Sequence, residues 1–333
     1  MSGKASLTEP RFAASERNDV TSTRSPQALD RSPSGTSRAL RIWAWISFVL
    51  NVLIIATGGT VRLTGSGLGC SDWPVCTPGS LVPTPELGIH GLIEFGNRTI
   101  SGPLLIAALA VLVLSWMIRR ERRDLLVLSI VVLALVAAQA LIGAFVVWLH
   151  LDANVVGVHY IISLLIVAAA AVYLVRTYEA PGLRELAVPR GFQILAHATS
   201  FVVAVTIVVG VLTTGAGPHS GDANIQRDGF DASVLEHVHA VPGYVSLALV
   251  IALVVWAARR RLRPLRWSLA LLIALLVQIP VGLYQARNGL PPFAVGVHMV
   301  FASLVTAALA VAVMRTKRPA AVQPAAGEVS SPR

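Results

Sequence analysis

The chain has 333 residues, of which 55% are hydrophobic and only 13% charged, and its mean hydropathy is +0.69. A soluble domain carries about twice that share of charged residues, so the composition excludes an ordinary soluble enzyme and favours a protein that lies in a lipid bilayer. The net charge of +10 does not indicate a nucleic-acid partner, because the basic residues are divided among the segments that separate apolar runs.

Eight apolar segments are long enough to cross a bilayer, since a membrane-spanning helix needs about 20 residues. None of them has the alternation of polar and apolar side chains over about 10 residues that is typical of a barrel strand. The sequence therefore predicts an all-α membrane protein of eight transmembrane helices. They cover residues 42–60, 99–118, 125–148, 153–175, 194–214, 234–257, 267–287 and 293–314.

The segment before the first helix is rich in Ser, Thr, Arg and Pro. Such a segment cannot bury enough apolar surface to become ordered, so we expect residues 1–40 to form a disordered tail. A cleavable signal peptide places its apolar region much closer to the amino terminus. The first helix is therefore expected to be retained in the protein.

The basic residues indicate the orientation of the helices. Of the 27 Lys and Arg, all but four lie in the two tails or at alternate connections between helices. The positive-inside rule places those segments, with both chain termini, in the cytoplasm, and we expect a bacterial plasma membrane around the helices, with lipid headgroups as partners. The four that remain for the outer side are Arg62, Arg98, Arg227 and Arg287.

Cys70 and Cys76 both fall in the first outer connection. A close pair of cysteines on the outer face of a bacterial membrane is oxidised readily, which favours a disulfide. Two unlinked thiols are the alternative. A metal site is less favoured, because no histidine or third cysteine lies near them in sequence.

The second half of the chain repeats part of the first. Residues 139–159 align with residues 278–298 without a gap, so that Gln139 and Gly143 meet Gln278 and Gly282. The same alignment places the VGVH sequence that ends at His159 on a second VGVH that ends at His298. The eight helices thus divide into four and four.

Two four-helix halves follow from this repeat. An even number of helices in each half means that both enter the membrane from the same side, so we expect them to be related by an axis along the membrane normal. The predicted halves cover residues 41–178 and 191–315, followed by a cytoplasmic tail at 316–333. In a weaker alignment of the two halves, Glu94 corresponds to Glu236 and Asn97 corresponds to His239.

Three histidines lie inside predicted helices, where an ionisable group is costly and indicates a functional site. His239 and His298 lie at similar depths in the second half, and two such imidazoles can bind a haem iron from both sides. The pair predicts a haem site, and histidines that only hydrogen-bond within the bundle are the alternative. His237 lies on a different face of its helix from His239.

The first half has only one histidine of this kind, His159, and the opposite position is Asn97, which is not an equivalent ligand. We expect a site that holds iron through one imidazole and leaves the other face open to a substrate. Glu94 shares a helix face with Asn97 and can present a carboxylate to that open side. The alternative for Glu94 is an acid that stabilises a helix start. His90 is expected in the outer loop, or as the missing ligand if the helix begins early.

Haem propionates need cationic partners. The candidate contacts are the four outer arginines, Arg62, Arg98, Arg227 and Arg287, because a guanidinium can bind a carboxylate through two hydrogen bonds. Ordinary interfacial arginines, whose charged ends reach towards water, are the alternative.

The segments TGSGLGCSDWPVC at 64–76 and IEFGNR at 93–98, with the later histidine-bearing helices, resemble the bacterial eight-helix haem A synthases over residues 40–315. The resemblance implies that the C8 methyl of haem O is oxidised to a formyl group, which gives haem A for terminal oxidases. Asn97 departs from the family, in which many members have histidine, and Ser71 stands where proline is more frequent.

The resemblance also implies roles for particular residues. His239 and His298 match the ligands of a haem b, His159 matches a ligand of the substrate haem O, and Glu94 matches a glutamate that is required for activity. The cysteine pair matches an outer-loop disulfide. A haem supplies redox chemistry that side chains lack, while Glu94 would accept a proton from the methyl or stabilise positive charge there.

Two other functions compete with this one. A two-haem electron-transfer cytochrome explains the histidine pair but not the loss of a ligand in one half. A haem transporter explains the repeat but predicts polar interruptions near the midplane of the membrane. Haem O synthase (protohaem farnesyltransferase) is a candidate partner of the enzyme, and the sequence does not identify the electron acceptor.

Overall fold

The computed structural model describes residues 34–219, 221–222, 225 and 229–320. In this part of the chain eight helices are long and apolar enough to cross a membrane, which confirms the prediction of a multi-pass membrane protein. They are α1 (Arg38–Leu63), α2 (Gly88–Met117), α3 (Arg123–Trp148), α4 (Ala153–Arg176), α5 (Arg190–Ala216), α6 (Ala232–Arg259), α7 (Leu265–Arg287) and α8 (Pro292–Met314).

Side-chain caps define the starts of three helices. The hydroxyl of Ser37 accepts a hydrogen bond from Leu40 N–H at the start of α1. Asp152 and Asp231 cap α4 and α6 in the same way through their carboxylates. These caps satisfy backbone N–H groups that the first turn leaves unpaired. Because α1 begins at Arg38, the end of the predicted tail at residue 40 lies inside this helix, and the disorder expected for residues 1–33 falls outside the described residues.

Helix α2 begins earlier than the sequence predicts, at Gly88 rather than residue 99. In the sequence, Glu94, Asn97 and Arg98 interrupt the apolar run, so the predicted helix begins after them. In the fold these polar side chains have hydrogen-bond partners, and the helix includes them. His90 therefore lies in the first turn of a helix, and the expectation that it belongs to the outer loop is wrong.

The helices pack into two rings. Within α1 to α4 each helix contacts the next, and α1 also contacts α4; α5 to α8 pack in the same manner. Between the rings, α8 lies against α1 and α4, and α4 lies against α5. Ile55, Val167 and Val311 are buried together where α1, α4 and α8 meet. The two sets of four are therefore joined by an apolar core rather than by a linker alone.

A short two-stranded sheet departs from the prediction of an all-α protein. Strand β1 (Arg184–Leu186) pairs antiparallel with β2 (Lys317–Pro319), with Glu185 opposite Arg318. Nearby, Glu179 forms ion pairs of 2.6 Å with both Arg184 and Arg315. The start of the predicted tail at 316–333 is therefore part of the fold, and residues 321–333 lie outside the described part of the chain.

Candidate functional site

His239 on α6 and His298 on α8 face each other within the second ring. Their ring centres are 6.3 Å apart and the ring planes are inclined by 75°. Two imidazoles that share a metal through bonds of about 2 Å have ring centres separated by about 6 Å, so the pair fits a haem iron between them. The structure brings together the two residues predicted as ligands.

A hydrogen bond from a neighbouring helix orients His239. Nδ1 of His239 lies 3.0 Å from the backbone oxygen of Thr206 on α5. Because a carbonyl oxygen only accepts, Nδ1 carries the proton and Nε2 is left as the nitrogen that can bind a metal. His237 is exposed, and its Nδ1 bonds instead to the backbone oxygen of Ser233.

Each of the three helix histidines lies against a glycine on an adjacent helix. A Cβ added to Gly210 would lie 2.7 Å from Cε1 of His239, and one added to Gly282 would lie 3.0 Å from Cε1 of His298. At Gly143, the corresponding distance to His159 is 3.5 Å. Gly143 and Gly282, which the repeat aligns, and Gly210, which lies outside it, thus provide the room that the imidazole rings occupy.

Glutamines hold the two VGVH helices at the same point. Gln139 on α3 donates from Nε2 to the backbone oxygen of His159 at 2.7 Å. Gln278 on α7 donates in the same way to His298 at 3.1 Å. His159 and His298 each lie six residues after the first residue of their helices, α4 and α8. The aligned sequences therefore make the same contacts in both rings.

The glycines of the two VGVH sequences allow close contact between the rings. A Cβ on Gly157 would lie 2.6 Å from Val211 on α5, and one on Gly296 would lie 3.3 Å from Leu63 on α1. The sequence repeat identified these glycines, but only the structure shows that each one faces the first helix of the opposite ring.

Asn97 occupies the position in the first ring that corresponds to His239. Its Oδ1 accepts a hydrogen bond of 2.7 Å from the hydroxyl of Thr57 on α1. A Cβ on Gly58 would lie 3.8 Å from the same oxygen, an ordinary contact, whereas the Cβ on Gly210 would be too close to His239. The asparagine side chain is also shorter than the imidazole at the compared position of the second ring.

Glu94 is buried beneath the outer loop, with 5% of its surface exposed. Its Oε2 accepts a hydrogen bond of 2.7 Å from Cys70 N–H, and its Oε1 accepts from Nε and Nη2 of Arg98 at 3.1 Å and 2.5 Å. The carboxylate therefore connects α2 to the loop that contains the cysteines. Glu236, at the corresponding position of α6, is exposed.

The guanidinium of Arg98 is fully engaged. In addition to Glu94, it donates to the backbone oxygens of Asp72 at 2.7 Å, Val75 at 3.1 Å and Cys70 at 3.0 Å. All five N–H groups of the side chain have acceptors. In this arrangement Arg98 stabilises the loop and has no donor left for a propionate.

The three other outer arginines differ from one another. Arg62 donates 2.7 Å to the backbone oxygen of Thr214 and so joins the end of α1 to the end of α5. Arg287 is exposed in the last turn of α7. Arg227 lies outside the described residues. Of the three candidates for propionate contacts that the structure describes, Arg287 is the one that is exposed.

The cysteine loop closes over the start of α2. Cys70 and Cys76 form a disulfide and are buried, which confirms the predicted pairing and makes the alternative of unlinked thiols wrong. A side chain at Gly69 would overlap the backbone of His90. His90 also bonds through Nδ1 to the hydroxyl of Ser66 at 2.9 Å. It lies seven residues before Asn97, about 10 Å along the helix, and so at a different level.

Sequence reasoning missed several of these contacts. The ion pair of Glu94 with Arg98 was detectable, since residues four apart share a helix face. The contacts of Thr57 with Asn97 and of Thr206 with His239 join different helices. Neither has a signal in the sequence, because a threonine in an apolar helix usually bonds to its own helix.

Comparison with known proteins identifies related chains. The family model COX15-CtaA, described as cytochrome oxidase assembly protein, matches residues 41–219, which is more than half of the chain.

Curated relatives match over a larger share. Heme A synthase of Alkalihalophilus pseudofirmus is 25% identical over 303 residues, which covers 85% of this chain and 99% of the relative. Heme A synthase of Halalkalibacterium halodurans is 26% identical over 306 residues, covering 86% and 99%. Heme A synthase of Bacillus pumilus is 34% identical over 147 residues, covering 43% and 46%.

Proposed function

This chain belongs to the COX15-CtaA family of cytochrome oxidase assembly proteins, and from that premise we propose that it is a haem A synthase. It is then a membrane-bound, haem-dependent oxidoreductase that converts the C8 methyl of haem O to a formyl group. One observation carries the proposal: in one ring two imidazoles face each other, and in the other a histidine of the same VGVH sequence lies on α4 while a buried carboxylate lies on α2.

The second ring is the site of haem b. His239 and His298 would hold it, which the distance between the two imidazoles and the glycines beside them support. The bond of His239 to Thr206 keeps Nε2 available for the iron. Because two imidazoles would bind one iron there, this haem would supply electron transfer and would not contact the substrate methyl.

The first ring is the site of the substrate, haem O. His159 is its ligand, and Asn97, held by Thr57, leaves the opposite side open. When bound, a haem supplies the redox chemistry that side chains lack. The protein's contribution is to orient the substrate through His159 and to keep water away from the reacting group.

Glu94 is the residue that handles the proton from the substrate methyl. Arg98 fixes the position of the carboxylate, and Oε1 already accepts two hydrogen bonds from it. We therefore assign the transferred proton to Oε2, which faces Cys70 N–H. A fixed carboxylate also stabilises positive charge that develops beside it.

The two rings are repeats related by an axis along the membrane normal. A two-fold axis that exchanges α1 with α5 and α4 with α8 turns the contact of α4 with α5 into the contact of α8 with α1. Both contacts are present, and they support this arrangement. The hydroxyl of Tyr160 donates 2.8 Å to the backbone oxygen of Met299. Each of these residues directly follows its VGVH histidine, and equivalent residues meet where a two-fold axis passes. The domains are then residues 41–178 and 191–315.

The surroundings of the enzyme follow from its charge. The basic connections lie in the cytoplasm, together with both termini, and the disulfide loop lies on the outer face of a bacterial plasma membrane. Haem O synthase, which supplies the substrate, is the candidate protein partner.

Coexpression with a source of haem O tests the function. The haems extracted from the membranes and from the purified protein are identified by their masses and by pyridine haemochrome spectra. Haem A, or haem O hydroxylated at the methyl, is the expected product. Haem b alone would indicate an electron-transfer cytochrome, and a purified protein that binds no haem would indicate the transporter.

A further inference from the structure

Two glutamines of the repeat have an unpaired oxygen beside a histidine with an unpaired nitrogen. Oε1 of Gln139 and of Gln278, and Nδ1 of His159 and of His298, are buried and have no hydrogen-bond partner among the described residues. A buried polar atom without a partner is costly. The same pair of unpaired atoms at equivalent positions of both rings indicates a common role.

The orientation of each glutamine follows from its other contact. The end of the amide that faces the histidine backbone oxygen must be the nitrogen, because two oxygens cannot share a hydrogen bond. Oε1 is attached to the same carbon as that nitrogen. It is therefore an acceptor held beside the histidine to which the nitrogen is bonded.

A histidine that binds iron through one nitrogen carries a proton on the other, and that N–H normally has an acceptor. His239 already has one in the backbone oxygen of Thr206. In the part of the chain that the structure describes, Nδ1 of His159 and of His298 makes no hydrogen bond, although the backbone of Gln278 lies near the His298 ring. The side-chain oxygens of Gln139 and Gln278 are acceptors without a donor on the helices that adjoin these histidines.

We propose that Gln139 and Gln278 are positioning residues that accept the Nδ1 protons of His159 and His298 when these histidines bind haem iron. Each glutamine then makes two bonds to its histidine, one to the backbone and one to the ring. This fixes the rotation of the imidazole and increases its donor strength towards iron. The inference rests on the proposed function, in which the two rings bind haem.

The reduction potential of haem b separates this role from a purely structural one. Gln278→Glu keeps an acceptor and makes it stronger, whereas Gln278→Leu has none; both lose the amide N–H that bonds to the backbone. A stronger acceptor increases the donor strength of the histidine and favours ferric iron. We expect the reduction potential of the Glu variant to lie at least ~59 mV below that of the Leu variant, which corresponds to a tenfold difference in the one-electron reduction equilibrium.

Redox titration of the purified holoprotein, followed through the absorption of haem b, measures this difference. The matched control is Gln139→Leu, which lies in the other ring and should leave the potential of haem b unchanged. Equal potentials in the two Gln278 variants would overturn the proposal, because both variants equally lose the hydrogen bond to the backbone oxygen of His298. If the Leu variant does not retain haem, the Glu variant is compared with the unmodified protein, and a potential that is not lowered overturns the proposal.

Failure of the proposed function gives a different result. In that case the unmodified protein contains no b-type haem on His239 and His298, and no potential can be titrated. A protein that binds haem b normally but does not respond to the acceptor at residue 278 contradicts only the role of the glutamines.

Discussion

The two rings of helices share one frame but differ at α2 and α6. In both, a glutamine on the third helix bonds to the backbone of a histidine on the fourth, and a glycine makes room for the imidazole. In the second ring α6 adds His239, whereas α2 has Asn97 at that position. Because both rings keep the glutamine and glycine contacts, asparagine in place of histidine changes the number of available ligands without changing the fold.

The second difference lies at the loop that contains the disulfide. Glu94 is buried and bonded to the disulfide loop through Cys70, whereas Glu236 is exposed. The loop, Arg98 and Glu94 form one connected group in the first ring. One ring thus has two facing imidazoles, and the other has a fixed carboxylate that is bonded to the disulfide loop. Under the proposed function, this difference separates a haem that transfers electrons from a haem that reacts.

Removal of a ligand from the complete pair gives the largest expected effect. We expect His298→Ala and His239→Ala to abolish the low-spin spectrum of haem b, because a six-coordinate iron loses one of its two axial ligands. Absorption spectra of the purified, reduced protein measure the loss. His237→Ala is the control, since its side chain is exposed and bonded to its own helix, and it should retain the spectrum. Normal spectra in both ligand variants would place the haem elsewhere.

The two glutamates test which ring carries the reaction. Glu94→Gln keeps the size of the side chain but removes its charge and its basic oxygen, so we expect formyl product to fall at least about tenfold, since a positioned proton acceptor is typically worth 10²–10⁴. Haem b should remain, because its ligands lie in the other ring. The measurement is the yield of haem A after coexpression with a haem O source.

Glu236→Gln is the matched control for Glu94. It lies at the equivalent position but is exposed, and it should keep most of the activity. A nearly normal yield from the Glu94 variant, together with an inactive Glu236 variant, would mean that the substrate occupies the second ring.

The sequence predicted the helices well because long apolar runs have few alternatives in a membrane. It failed at the start of α2, where Glu94 and Arg98 interrupt the apolar run and are satisfied by a loop that lies more than twenty residues earlier. The strands β1 and β2 were missed for a similar reason. Each has three residues, and their pairing joins segments that are far apart in the chain.

The repeat marked His159 and His298 in the sequence, whereas it did not reveal the contacts around them. The sequence recorded that Gln139 and Gln278 recur, but their hydrogen bonds depend on how α3 meets α4 and α7 meets α8. Arg98 was assigned to a propionate on charge alone. Its five donors are used by the carbonyl oxygens of a loop conformation that the sequence does not reveal.

Added volume beside the ligand position should affect the two rings differently. At Gly210, the Cβ of alanine would lie 2.7 Å from Cε1 of His239, so the imidazole must shift. We expect Gly210→Ala to lower the haem b content severalfold, because misplaced atoms in a packed site cost about 1–3 kcal/mol. Gly58→Ala is the control, since the corresponding distance to Asn97 is 3.8 Å. Haem b content per protein measures the Gly210 variant, and the yield of haem A measures the Gly58 variant. Equal losses would mean that the closer contact at Gly210 has no effect of its own.

The smallest expected effect concerns the threonines that support positions 97 and 239. Thr57 bonds to Asn97 through its side-chain hydroxyl, so Thr57→Val removes this contact and frees the amide. Thr206 bonds to His239 through its backbone oxygen, which Thr206→Val retains. A single hydrogen bond of this kind contributes about 1 kcal/mol, so we expect the haem A yield of the Thr57 variant to fall about fivefold and the haem b spectrum of the Thr206 variant to remain unchanged. If Asn97 does not shape the open side of the substrate site, the Thr57 variant will make as much haem A as the unmodified protein. In that case the two rings would differ in function only through Glu94 and its loop.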